Sequence, residues 1–303
     1  MAKEPLIQYP LKRMIEAGGN TLHLTADQPA YYRDDSGALR VLEDRVYQPD
    51  TLEAMLKEIC MPSTRWDAFC ANHQLELTHE IPGPVRFHVV LSRNYRGCSG
   101  VFRRIPAQVP TLDELNAPED MKRLCRSRGG LIVVATPESA GGAAVTAALV
   151  NEINTTASRA IMIIEARSGF VHENVKSLIL HREIGASASS YAEAIRTSRF
   201  SDPDVLVLDA LPDAETVRLA LEFAAGGMLV ITKMHSDSVG ECLWRIIRSM
   251  PADQQQRSRM LLAGCIQGII TNCGENGKNC DLQLRNEALV NAIADGKIDT
   301  IAG

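Results

Sequence analysis

Three sets of residues in this 303-residue chain have the types and spacing to do chemistry, and all three sit where an apolar run ends. The first is Thr136-Pro137-Glu138-Ser139-Ala140-Gly141-Gly142-Ala143-Ala144, which follows the run Leu131–Ala135 and precedes an Ala-rich helical stretch. A strand, a small-residue turn and a helix N-terminus form the setting of a phosphate-binding loop. That chemistry needs a lysine for the β- and γ-phosphates and a hydroxyl for Mg²⁺. Gly142 and Ala143 stand at those two places. The second set is the acids Glu165 and Asp209, each closing an apolar run, where ligands of open parallel sheets bind. Asp209 reads either as a metal-associated acid or as a helix-capping or solvated one. Ala210 follows it, so no neighbouring glutamate orients water. The third is His235, behind Val230-Ile231-Thr232-Lys233-Met234, placed to sense a phosphate or to shape a domain interface. No residue is assigned as catalytic on this pattern. The histidines form no three-ligand metal constellation, and no Ser/His/Asp arrangement can be located from spacing.

The elements that must position these groups follow from periodicity. Apolar runs at Leu131–Ala135, Ala160–Ile164, Val205–Leu208 and Met228–Ile231 alternate with helical patterns around Ala143–Glu152, Tyr191–Arg199 and Asp213–Ala225. That alternation predicts a parallel sheet with helical crossovers. Further helices are expected at Cys242–Arg248, Gln254–Ile270 and Glu287–Ile293. The N-terminal third reads differently. Helices at Leu6–Ala17, Thr51–Cys60 and Pro62–Phe69 mix with strands at Leu22–Leu24, Leu75–Thr78, Val85–Leu91 and Gly100–Ile105, and with a hairpin over Tyr31–Leu42. The expected organisation is a small α+β domain over 1–106, a Pro-containing linker over 107–118 with a short helix at Leu112–Leu115, and an α/β domain over 119–303.

Composition narrows the function classes. A formal charge of -5 argues against a dedicated nucleic-acid binder, and no apolar run reaches membrane-spanning length. Eight scattered cysteines form no disulfide framework, which suits a reducing cytoplasm. For Cys273 and Cys280, six residues apart in the intervening chain, free thiols are the simpler reading, beside a redox-active disulfide or a metal site. Arg93, Arg96, Arg103 and Arg104 concentrate charge on the last strands of the first domain, either as a solvated sheet face or as a set that reaches phosphates or an acidic surface. Arg196 and Arg199 read as an anion-contacting pair or as surface ion-pair partners.

The chain resembles the type IV pilus retraction ATPases, the twitching-motility group of the secretion-ATPase superfamily. The likeness runs through Thr21-Leu22-His23-Leu24, Val85-Arg86-Phe87, Phe102-Arg103-Arg104-Ile105-Pro106, Thr111-Leu112-Asp113-Glu114-Leu115, Gly130–Val134, Phe170-Val171-His172-Glu173, Asp202–Leu206, Glu215–Leu221 and Met234-His235-Ser236. It implies a PAS-like N-terminal domain, a RecA-like C-terminal domain and a hexameric ring. ATP would lie between the domains, and an inner-membrane platform protein would be a partner. Against the family's Gly-Pro-Thr-Gly-Ser-Gly-Lys-Ser-Thr, the loop Thr136–Ala144 has Gly142 for the lysine and Ala143 for the Mg²⁺-binding hydroxyl. The family's catalytic glutamate becomes Ala210, the acidic box keeps Glu165 but has Ala166 after it, and the earlier histidine of the histidine box becomes Met228. Arg86, Arg103, Glu165, Arg196, Asp209 and His235 remain as candidates for residual nucleotide or interface contacts. Losing the lysine or the glutamate costs on the order of 10²-fold in rate each.

The resemblance with these departures implies a paralogue that kept the fold and exchanged turnover for assembly or regulation in pilus or related secretion machinery. It would form a homo-oligomer or join an active pilus ATPase, cytoplasmic and peripheral to the inner membrane. No cofactor is expected, or ATP and Mg²⁺ if nucleotide binding is retained. A weak ATPase driving retraction and a binding module for another nucleotide or anion are the competing readings.

Overall fold

A computed structural model describes residues 5–34, 37–83, 85–105, 108–137, 141–166, 169–274 and 277–301. Glu138, Ser139 and Ala140 of the loop and the boundary residue Pro106 lie outside them. The chain divides into two compact units, 1–107 and 108–303.

The first unit is built on a six-stranded antiparallel sheet, with strands β1 (Gly19–Thr25), β2 (Gln28–Asp34), β3 (Leu39–Tyr47), β4 (Gln74–Ile81), β5 (Val85–Asn94) and β6 (Gly97–Ile105) in the order β3-β2-β1-β6-β5-β4. Period-2 alternation sends Leu22, Leu24, Leu77, Phe87, Val89, Leu91 and Phe102 to one face. Helices α1 (Gln8–Glu16), α2 (Pro49–Ile59) and α3 (Thr64–Asn72) cover it with Leu11, Met14, Leu52, Leu56 and Phe69.

In the second unit, α4 (Glu119–Cys125) leads into β7 (Gly130–Thr136), α5 (Gly142–Thr156), β8 (Ala160–Glu165), β9 (Leu178–Glu183), α6 (Tyr191–Ser198), β10 (Val205–Leu208), α7 (Ala214–Ala225) and β11 (Leu229–His235). Then follow α8 (Val239–Arg248), α9 (Gln255–Cys265), β12 (Ile266–Thr271), β13 (Asp281–Leu284) and α10 (Glu287–Asp295). The seven strands run in the order β13-β12-β7-β11-β10-β8-β9, parallel except for β13. Both faces of the sheet are apolar, as a sheet covered on two sides requires. Ile132, Val134, Ile161, Ile163, Val205, Val207 and Ile231 pack on Val145, Leu149 and Ile153 of α5. Leu131, Val133, Met162, Leu206 and Val230 pack on the helices opposite. Each buried aliphatic side chain contributes roughly 1.5–3 kcal/mol, so the apolar face of α5 holds it firmly to the strand ends.

Three expectations are corrected. Gln254–Ile270 is not one helix: it ends at Cys265, and Ile266–Thr271 becomes β12 because the Ile-rich segment finds a parallel partner in β7. Leu112–Leu115 forms a turn stabilised by Glu114, which accepts from the Thr111 amide and hydroxyl at 2.7 and 2.9 Å. Cys273 and Cys280 are joined as a disulfide rather than free. Two turn bonds bring them together, Gly274 N–H to Lys278 O at 2.8 Å and Gly277 N–H to Gly274 O at 3.0 Å, with Gly277 at φ +82°. The other six cysteines are free thiols. No helix among the described residues is long and apolar enough to cross a membrane.

Candidate functional site

The period of two that builds the core of the second unit also assembles its polar site. Continuing the α5-facing rows by one more step puts Thr136 after Val134, Glu165 after Ile163, Asp209 after Val207 and Lys233 after Ile231. Registers fix their heights: Lys233 pairs with Val134 and His235 with Thr136, while Thr232 pairs with Leu208. Lys233 is therefore level with Asp209 on the adjoining strand. All four residues lie at the carboxyl end of the sheet, beside the first turn of α5.

A cavity of about 160 Å³ opens there, lined by Ala143, Thr146, Glu165, His172, Asp209 and Lys233 over an apolar base that includes Ile163 and Val207. Asp209 is neither a cap nor a solvated acid. Its Oδ1 accepts from the Tyr191 hydroxyl at 2.5 Å and its Oδ2 from the Ala166 amide at 3.2 Å. Burial raises its pKa, against the opposing pull of Tyr191, Ala166 and Lys233. The helix cap nearby is Asp213, which accepts from the Thr216 amide at 2.7 Å. Glu165 is 7% exposed, with Oε1 3.3 Å from His181 Nδ1 and Oε2 accepting from the Gly169 amide at 3.2 Å. His172 is pushed down to about 4, by burial first and by His181 second. Its Nδ1 is buried without a hydrogen-bond partner among the described residues.

At the start of α5 the side chains are missing. Gly142 is buried, and a Cβ built on it would lie 2.4 Å from Thr136 Oγ1 and 3.4 Å from Lys233 Cδ. Thr136, 1% exposed, thus fills the path by which a side chain would leave position 142. The hydroxyl nearest on the helix, Thr146, donates to Gly142 O at 2.9 Å and is spent on its own backbone. A Mg²⁺-nucleotide needs a hydroxyl ligand and an acid free to hold the ion or its water. Ala143 offers none, and Asp209 is engaged by Tyr191 and Ala166, so this donor set does not fit the metal. Among the described residues no group of three His, Cys, Asp or Glu side chains converges to hold an ion.

The remaining sequence candidates are dispersed. His235 is exposed at the end of β11, beside Thr136 but not lining the cavity. Arg196 is ion-paired with Glu215, and Arg199 stacks on Phe223 at 4.5 Å, so the two do not form an anion-contacting pair. In the first unit Arg86 pairs with Glu80 at 2.9 Å, and Arg103 stands between Thr21 and His88 on the sheet. Sequence reasoning passed over Lys233, Tyr191 and His172. For Lys233 a signal existed: a lysine closing an otherwise apolar strand that lies between the loop strand and the Asp209 strand.

The model of the type II/IV secretion system protein family matches residues 106–295. The chain is 32% identical over 254 residues to the type IV pilus retractation ATPase PilT of Pseudomonas aeruginosa, covering 84% of this chain and 73% of that protein. It is 28% identical over 303 residues to the uncharacterized protein YggR of Escherichia coli K12, covering 98% and 90%. Its structure resembles the crystal structure of the pilus retraction motor PilT with bound ADP, with a TM-score of 0.88 at 29% identity, over 98% of this chain and 88% of that one. The Legionella pneumophila ATPase DotB shares the fold, with a TM-score of 0.83 at 17% identity over 99% and 90%. The architecture is that of these ATPases: an N-terminal α+β domain followed by a RecA-like core.

Proposed function

The chain belongs to the type IV pilus and secretion ATPase family, and from that premise we propose that it is a non-hydrolysing member, an assembly or regulatory component of type IV pilus or related secretion machinery. The observation that carries this reading is the first turn of α5. Gly142 has neither a lysine nor room for one beside Thr136, and Ala143 has no hydroxyl. In-line attack on a γ-phosphate needs charge neutralisation and an oriented water. With Ala210 after Asp209 and Tyr191 bonded to that acid, these residues neither hold Mg²⁺ nor orient a water.

In this reading the first domain, 1–106, is PAS-like, joined by a linker over 107–118 to the RecA-like domain at 119–303. The protein acts by docking, in a ring of its own copies or in a mixed assembly with an active retraction ATPase, on the cytoplasmic side of an inner-membrane platform. Arg86, Arg103, Arg196 and His235 then serve as assembly contacts. Steady-state assay of the purified full chain with Mg²⁺-ATP tests the proposal. The expected result is phosphate release no faster than in buffer. Turnover that Asp209→Ala or Glu165→Ala abolishes would overturn it.

A further inference from the structure

We propose that Lys233 takes over the phosphate-binding role of the absent loop lysine, so that the cavity holds the phosphates of a nucleoside diphosphate without a metal ion. The inference rests on the non-hydrolysing reading above and identifies a ligand for the same cavity. Three observations converge on it. First, Lys233 Cδ lies 3.4 Å from where a Cβ on Gly142 would stand, so its side chain, arising from β11, passes beside the position at which a loop lysine would begin. The lysine stands on a strand next to the loop strand, and it lines the cavity beside the first turn of α5. Second, the carboxylates that share the cavity have partners of their own. Asp209 accepts from Tyr191 and Ala166, and Glu165 accepts from Gly169 and faces His181. The half-buried Lys233 acts on Asp209 through charge but forms no ion pair within 4.0 Å among the described residues, so its ammonium is open to an anion. Third, His172 lines the same cavity, and its buried Nδ1 has no hydrogen-bond partner among the described residues, which leaves a polar atom in that wall unsatisfied.

Metal independence follows from the same residues. A site that used Mg²⁺ would keep a hydroxyl at 143 and an acid open to the ion. Here the hydroxyl is absent and the acid is bonded within the protein. A lysine ammonium neutralises one phosphate charge by itself. A diphosphate suits this single cation better than a triphosphate, whose additional charge would face Glu165 and Asp209.

Calorimetry of the full chain with ADP in EDTA, and with pyrophosphate in a second arm, tests the proposal. The expected result is micromolar ADP affinity without metal, weakened at least tenfold by Lys233→Met and largely kept by Lys233→Arg. Thermal unfolding without ligand should be the same for all three proteins. Pyrophosphate binding with the same Lys233 dependence supports the phosphates as the recognised group. ADP binding without any pyrophosphate binding overturns the assignment to phosphates. ADP binding unchanged in Lys233→Met, or no ADP binding by the native chain, overturns the proposal while leaving the non-hydrolysing reading intact. Turnover of Mg²⁺-ATP would sink that reading whatever Lys233 does.

Discussion

Replacing Gly142 by alanine tests whether the loss of the loop lysine is built into the packing around it. The new Cβ would lie 2.4 Å from Thr136 Oγ1, about 1 Å inside an ordinary contact, and 3.5 Å from Thr136 Cβ. Thr136 is 1% exposed, and its branched side chain has few rotamers with which to retreat. Overpacking of this kind costs about 1–3 kcal/mol. Replacing glycine by alanine returns up to about 1 kcal/mol in a helix interior, and less at a first turn. The net expectation is a loss of about 1–2 kcal/mol. A domain of this size changes its Tm by about 2–4 °C per kcal/mol, so Gly142→Ala should melt about 2–8 °C lower. The double-mutant cycle gives the sharper test. In a Thr136→Gly background the obstructing hydroxyl is gone, and Gly142→Ala should cost nothing or stabilise, a coupling of about 1 kcal/mol or more. Calorimetric melts of the four proteins decide it. If Gly142→Ala is neutral in the native background, or costs the same in both, the side chain of Thr136 does not block position 142 and the packing argument fails. By the same geometry, Gly142→Lys needs Thr136→Gly to be accommodated.

Two other expectations follow from the site and its surroundings. His172 has a folded-state pKa of about 4 against an ordinary 6.5, so the unfolded chain binds the extra proton first. Stability is then full above about pH 6.5, falls as pH drops towards 4, and levels off below, by on the order of 3 kcal/mol for this group. His172→Leu should flatten the difference in urea midpoint between pH 7 and pH 4.5, and an unchanged acid decline would refute the role of this histidine. Thiol titration should find one reactive cysteine in the native protein, Cys70, and six after unfolding without reductant. It should find eight once Cys273 and Cys280 are reduced. Eight thiols before reduction would refute the bond.

Much of the fold was legible because its signals are local. Leu131–Ala135 and Val205–Leu208 are short apolar runs between turn residues, and they form strands buried on both faces. The segment after Cys265 was not legible, because Ile266, Ile269 and Ile270 also suit a helix face and pairing with β7 and β13 makes them a strand. β9 escaped notice for a related reason. As an edge strand it ends in His181-Arg182-Glu183 and lacks the apolar run of its neighbour β8. The absences at 142 and 143 could be read from the sequence alone. What fills them could not. The intrusion of Thr136, the approach of Lys233 and the bond from Tyr191 to Asp209 join residues from different elements, and no spacing rule along the chain connects them.

The loop clipped by Cys273 and Cys280 has a bearing on motion. A Cβ on Gly277 would come within 2.9 Å of both Gly141 O and Val145 Cγ2, so the bare glycine backbone is seated against the start of α5. The disulfide closes a small ring around that contact, and the ring leads directly into β13 at the edge of the sheet. The first turn of α5 and the loop that leads into the edge hairpin are therefore packed on one another. A displacement that lifts the first turn of α5 must carry the clipped loop with it or break their contact. The first turn of α5 is thereby seated against the edge of the domain as well as against the strand ends beneath it.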